Sequence, residues 1–240
     1  MHIFYTPDIR NQESYTLSAR ESKHCIRVLR LKKNSEVQLV DGLGNLYSGI
    51  ICEPDPGGCK IFISEVIPDY HKRNFHLHIA IAPTKSTDRF EWFLEKVTEI
   101  GIDEITLLLC SRSERTSIRP ERLDKVIVAA MKQSVIALKP VINEFTDTGN
   151  FIRKEAGSHT RKFIAHCKGD ERQSISRLYK PQENVICLIG PEGDFSPEEI
   201  ELAKENHYMP VTLGINRLRT ETAGVVACGI FNFMNDNPAV

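Results

Sequence analysis

Residues 188–200 read LIGPEGDFSPEEI: an apolar run breaks at Gly190, crosses Pro-Glu-Gly-Asp-Phe and enters a helix at Ser196. Ser-Pro-Glu-Glu sets Ser196 at the N-cap, Pro197 at N1 and Glu199 at N3, which is a capping box. The loop therefore joins the carboxyl end of a strand to the start of a helix, where open α/β sheets bind ligands. Its G-x-x-G spacing meets neither the dinucleotide fingerprint nor the phosphate-loop pattern. On spacing alone it reads either as a structural turn or as a cradle for a small molecule.

Reading outward from this stretch, strand-like and helix-like segments alternate from about residue 75 to the end. HLHIAIAP, EITLLLC, RKFIAHC, NVICLIG and MPVTLG read as strands; RFEWFLEKVTEIGI, ERLDKVIVAAMKQS, SPEEIELAKENH and TETAGVVACGIFNFMN read as helices. Such alternation predicts an α/β domain with a mainly parallel sheet covered on both faces. The first seventy residues differ. EVQLVDG and LYSGIIC flank Gly-Leu-Gly-Asn as a hairpin, KIFISEVI adds a strand, and the polar IPDYHKRN (67–74) reads as a linker. The expected domains are 1–70 and 75–240.

Two other strand ends carry candidate chemistry. LGINRLRTETAGVVACGIFNF (213–233) offers Arg217 and Arg219 before an apolar helix, with Thr220 or Thr222 as cap and Glu221 in its first turn. That helix is apolar nearly all round from Ala223, so it reads as core or as a subunit interface. APTKSTDRFEWFLEKVTEIG puts Lys85 and Arg89 after a strand, where they could meet phosphates, and Glu91, Glu95 and Glu99 along one helical face.

Composition narrows the classes. A net charge of −1 gives no global basic field, yet RESKHCIRVLRLKK (20–33) holds six cations against Glu21 alone. Seven scattered cysteines without a CxxC pair read as reduced structural thiols, not disulfides or a zinc site. No histidine spacing suits a metal, His76 and His78 read as structural or surface groups, and no nucleophile elbow occurs. No apolar run approaches a membrane span and no signal-peptide core is seen, so a cytoplasmic location is expected.

LIGPEGDFSPEEI and LGINRLRTETA, with HCIRVLRL (24–31), the VDG of Val40 to Gly42 and EKVTEIGIDEITLL (95–108), resemble the ribosomal RNA small subunit methyltransferase E family of SPOUT methyltransferases. The resemblance covers essentially the whole chain. It implies a PUA-like β-barrel domain for RNA, a knotted C-terminal domain binding S-adenosyl-L-methionine, and a homodimer. The implied reaction methylates N3 of a uridine in small-subunit (16S) ribosomal RNA or an assembled subunit. Alternatives are the same fold acting on a ribose 2′-oxygen or another base, or a non-catalytic ribosome-assembly protein.

The implied cofactor site comprises Leu188, Ile189, Gly190, Pro191, Glu192 and Gly193 with Leu213, Gly214, Arg217, Leu218 and Arg219, flanked by Thr220 and Ala223. Arg219 is the implied electrostatic stabiliser, and Glu221 or Glu192 the candidate base. Lys23, Arg27, Arg30 and Lys32 would grip the RNA backbone. Asp194 stands where many members carry a second glycine.

Overall fold

The computed structural model describes residues 2–10, 12–155, 160–169 and 171–236, which divide into two units. Residues 1–72 and 128–139 form one; residues 73–127 and 140–240 form the other.

The first unit is a five-stranded sheet curled around its own core. Its strands are β1 (Ile3–Tyr5), β2 (Ser14–Thr16), β3 (Glu36–Val40), β4 (Leu46–Glu53) and β5 (Lys60–Ile67), in the order β1-β3-β4-β5-β2. Only β1 and β3 run parallel. The predicted hairpin joins β3 to β4, and Asp41 organises its turn: the buried carboxylate accepts the Leu43 and Asn45 N–H groups and the Tyr47 hydroxyl. The basic segment is helical, but in two parts. α1 (Ala19–Lys23) passes into a π-helical turn over His24–Val28 that buries Cys25.

The second unit is a seven-stranded sheet in the order β10-β12-β9-β11-β6-β7-β8, parallel at every pair. Its strands are β6 (Leu77–Ile81), β7 (Glu104–Leu109), β8 (Val141–Asp147), β9 (Arg161–Ala165), β10 (Gln173–Ser174), β11 (Val185–Ile189) and β12 (Met209–Thr212). The helices are α2 (Thr87–Ile100), α3 (Pro120–Ser134), whose residues from Val128 onward belong to the first unit, α4 (Thr148–Lys154), α5 (Ile175–Leu178), α6 (Pro197–Glu205) and α7 (Thr220–Asp236). Alternation sorts the side chains of β11. Val185, Cys187 and Ile189 join Phe90, Phe93, Phe163 and Phe231 on one face; Ile186 and Leu188 join Phe151, Phe195 and Ile200 on the other.

Every strand and helix expected in this unit is present. β8 was not anticipated: it lies at the sheet edge, and VINEFTD lacks the apolar run of a doubly covered strand. The short α4, α5 and β10 were likewise unread. α7 departs in part from its predicted burial. It packs Ala227, Cys228 and Phe231 into the core but leaves Phe233 72% exposed.

At Gly224, α7 approaches α2 so closely that an added Cβ would lie 2.8 Å from Phe93 Cδ2 and 3.1 Å from Ile81 Cδ1. The last crossing runs from β12, over the carboxyl edge of the sheet, to α7, which packs on α2, β6 and β11.

His78 is buried on β6, with Nε2 2.8 Å from Thr106 Oγ1 and its ring edge-on to Phe151. Burial, only partly opposed by Glu104, lowers its pKa to about 4. The folded protein therefore holds the neutral ring, while the unfolded chain gains a proton as pH falls through the ordinary histidine range. Stability should fall between about pH 6.5 and 4 by on the order of 3 kcal/mol from this group. His78→Gln should flatten that part of the pH profile in chemical unfolding; an unchanged slope would refute the assignment.

Candidate active site

The opening motif folds as its local chemistry dictates. Ser196 Oγ accepts the Glu199 N–H at 3.2 Å, and Glu199 Oε2 accepts the Ser196 N–H at 2.8 Å. Glu199 also accepts the Ser111 N–H at 2.9 Å, tying the loop after β7 to this helix start. Gly190 needs its missing side chain, because a Cβ there would lie 3.0 Å from the Phe195 ring. Asp194 adopts φ of +63°, a left-handed conformation that aspartate tolerates better than most residues. Its carboxylate accepts the Phe195 N–H at 2.9 Å and the Cys167 N–H at 3.0 Å. What glycine would supply by freedom, Asp194 supplies by two hydrogen bonds, and one of them reaches the end of β9.

The second motif meets the first directly. Thr220 or Thr222 was expected as the cap; Thr220 is instead the first residue of α7, with Thr222 inside the helix, and the buried Thr220 hydroxyl donates to the Gly190 carbonyl at 3.0 Å. Arg217 Nη2 donates to the Glu192 carbonyl at 3.4 Å. Between the two loops lies a cavity of about 430 Å³, within the range of small-molecule sites.

The cavity is lined by Ile189, Gly190, Pro191, Glu192, Leu213, Gly214, Arg217, Leu218, Arg219, Thr220 and Ala223. Two residues expected there lie outside it. Leu188 points to the opposite face of β11, into the core, and Gly193 sits beneath Arg112, which donates to its carbonyl at 2.9 Å. The far wall was not foreseen: Ala165, His166, Cys167 and Arg172 close it from the end of β9. RKFIAHC ends a strand, so the carboxyl-edge rule alone could have drawn attention to it.

The candidate reacting groups differ in setting. Arg219 is exposed at the cavity rim. Glu221 is buried in the first turn of α7, 3.9 Å from Arg89 Nε. Glu192 Oε1 accepts the Lys85 N–H at 3.0 Å, an anchoring contact. Lys85 Nζ pairs with Glu114 at 2.8 Å, which raises its pKa. Of the glutamates on α2, Glu91 pairs with Arg122, and Glu95 and Glu99 with Lys96.

In the first unit, Lys23, Arg27, Arg30 and Lys32 are exposed, with Val28 among them. Their one acidic neighbour, Glu21, is paired with Lys132 at 3.0 Å, so the segment stays net positive. Among the described residues no His/Cys/Asp/Glu group could hold a metal, and no helix is long and apolar enough to cross a membrane.

A parallel sheet with a ligand cavity at its carboxyl edge, fused to a curled β unit, defines a class. Residues 71–232 match the RNA methyltransferase domain model, and residues 17–64 the RNA methyltransferase PUA domain. Ribosomal RNA small subunit methyltransferase E of Mesomycoplasma hyopneumoniae is 31% identical over 94% of this chain and 96% of its own length. A Porphyromonas gingivalis structure described as a "probable rRNA-methyltransferase" superposes with TM-score 0.90 at 37% identity, covering 98% of this chain and 99% of its own. A Legionella pneumophila protein in complex with the bound cofactor SAM gives 0.83 at 27%, covering 98% of both. The chain belongs to the ribosomal RNA small subunit methyltransferase E family.

Proposed function

We propose that the chain uses S-adenosyl-L-methionine to methylate N3 of a uridine in small-subunit ribosomal RNA, acting with the ribosome in the cytoplasm. The observation that carries this reading is the Thr220–Gly190 hydrogen bond, which joins the two motif loops around one cavity. The donor set fits the cofactor. An apolar floor of Ile189, Leu213 and Ala223 suits a flat nucleoside, backbone-rich loops suit its polar edges, and His166 Nε2 is a buried group without a partner.

S-adenosylmethionine, when bound, supplies an electrophilic sulfonium methyl. Uracil N3 carries a proton at neutral pH and attacks only after losing it. Arg219 at the rim stabilises the resulting anion by its fixed positive charge. Glu221 or Glu192 accepts that proton, and methyl transfer from sulfur to N3 releases S-adenosylhomocysteine; the 3.9 Å approach of Arg89 to Glu221 favours an orienting role for Glu221 and leaves Glu192 as the acceptor. Lys23, Arg27, Arg30 and Lys32 on the PUA-like unit, and Lys85 and Arg89 on the other, contact RNA phosphates and set its register. A stacked target uridine is flipped out to react.

The chain also acts as a homodimer. Phe233, Trp92 and Ile100 leave apolar surface on α7 and α2 that a second copy would cover. A monomeric mass at micromolar concentration by light scattering would refute this.

The deciding assay mixes the protein with labelled S-adenosylmethionine and undermethylated small ribosomal subunits, then identifies the labelled nucleoside after digestion. N3-methyluridine is expected. Label in a 2′-O-methylated nucleotide would overturn the N3 assignment, and unlabelled RNA the enzymatic one.

A further inference from the structure

The turn after β9 carries two hydrogen-bond donors that the transfer chemistry leaves unused. His166 is only 9% exposed, and its Nε2 has no partner. Its Nδ1 accepts the Lys168 N–H at 3.3 Å, which leaves the ring proton on Nε2. Burial lowers its pKa and keeps the ring neutral. Asp194, Arg172 and Lys204 face the ring. Asp194 is already engaged by the Cys167 and Phe195 N–H groups, and Lys204 is paired with Glu171 and Glu201. A buried N–H without an acceptor is rare in native proteins and calls for one from outside the chain.

Arg172 stands beside it. Its Nε donates to the Gly169 carbonyl at 2.9 Å and its Nη1 to the His166 carbonyl at 3.0 Å. Two of its five N–H donors thus fix the guanidinium against the turn that holds the imidazole. Both side chains line the cavity. They close the wall formed by β9, whereas Lys85 and Arg89 follow β6, on the other side of β11. A planar cation joined by a neutral N–H donor suits a carboxylate, which accepts several hydrogen bonds in one plane.

We propose that His166 and Arg172 together recognise the carboxylate at the amino-acid end of the adenosyl cofactor, and so select ligands that carry it. The inference rests on the S-adenosylmethionine reading of the cavity.

S-adenosylhomocysteine and 5′-methylthioadenosine share the adenosine and a neutral sulfur and differ in the amino-acid portion. Calorimetric titration of each into the full-length protein should give much tighter binding of the first. Arg172→Ala should weaken S-adenosylhomocysteine by about 30-fold, the range of a charge-assisted hydrogen bond. His166→Phe should weaken it by roughly 5- to 10-fold, the range of a neutral hydrogen bond. Both variants should leave 5′-methylthioadenosine within twofold of wild type, and Arg172→Lys should recover part of the loss. Equal weakening of both ligands would reduce the pair to a structural role and overturn the proposal. Unchanged S-adenosylhomocysteine binding with weaker RNA binding would reassign Arg172 to a phosphate, with the same result. Wild-type protein that binds neither ligand would overturn the cofactor reading itself; equal binding of both would overturn only the selectivity.

Discussion

Arg219→Ala should lower the methyl-transfer turnover by about 10²- to 10³-fold, the cost of removing one preorganised charge that stabilises a developing anion. Arg219 is exposed at the rim and supports no core packing, so its loss should leave the melting temperature unchanged. S-adenosylhomocysteine affinity should stay within a few-fold of wild type. That combination separates charge stabilisation from cofactor binding: a large loss of affinity with normal turnover at saturation would refute the role. Glu221→Gln is the companion measurement. Retained turnover excludes Glu221 as the base and leaves its contact with Arg89 as its function.

The second large effect concerns stability. Gly224 lies where α7 crosses α2, and a Cβ there meets the buried Phe93 ring and Ile81. Gly224→Ala gains about 1 kcal/mol of helix propensity but overpacks a closed core, which costs about 1–3 kcal/mol and occasionally more. Packing wins, because Phe93 is fully buried among other aromatic residues and cannot swing outward. A net loss of up to about 2 kcal/mol should lower the melting temperature by up to roughly 4–8 °C for a chain of this size. Gly224→Val should cost more, and Phe93→Leu in the Gly224→Ala background should restore part of the loss. Wild-type melting of Gly224→Val would show that α7 does not sit this tightly.

How much of this could be read beforehand depended on how far the deciding partner lay along the chain. The start of α6 was fully legible, because Ser196, Pro197 and Glu199 cap a helix through contacts three residues apart. The strands flanked by helices were legible because both faces are buried and the sequence must be apolar throughout. The far wall of the cavity was not, because β9 meets β11 and β12 only through sheet order. Asp194 shows the same limit. Its left-handed backbone could be suspected from a glycine position, but its bond to Cys167 spans twenty-seven residues. Thr220 read as a helix cap from its neighbours and proved to be a donor to Gly190, thirty residues away. The basic segment announced a helix, whereas its passage into a π-helical turn had no signal in residue type.

The division of α3 has a consequence during synthesis. Residues 128–139 belong to the first unit, and Lys132 and Ala137 contribute to its ion pair and apolar clusters. That unit therefore cannot finish folding when residue 72 leaves the ribosome. It must wait for the 67 residues from 73 to 139, roughly 3–13 s at bacterial and eukaryotic elongation rates. During that interval the nascent chain carries an unfinished, cation-bearing β unit.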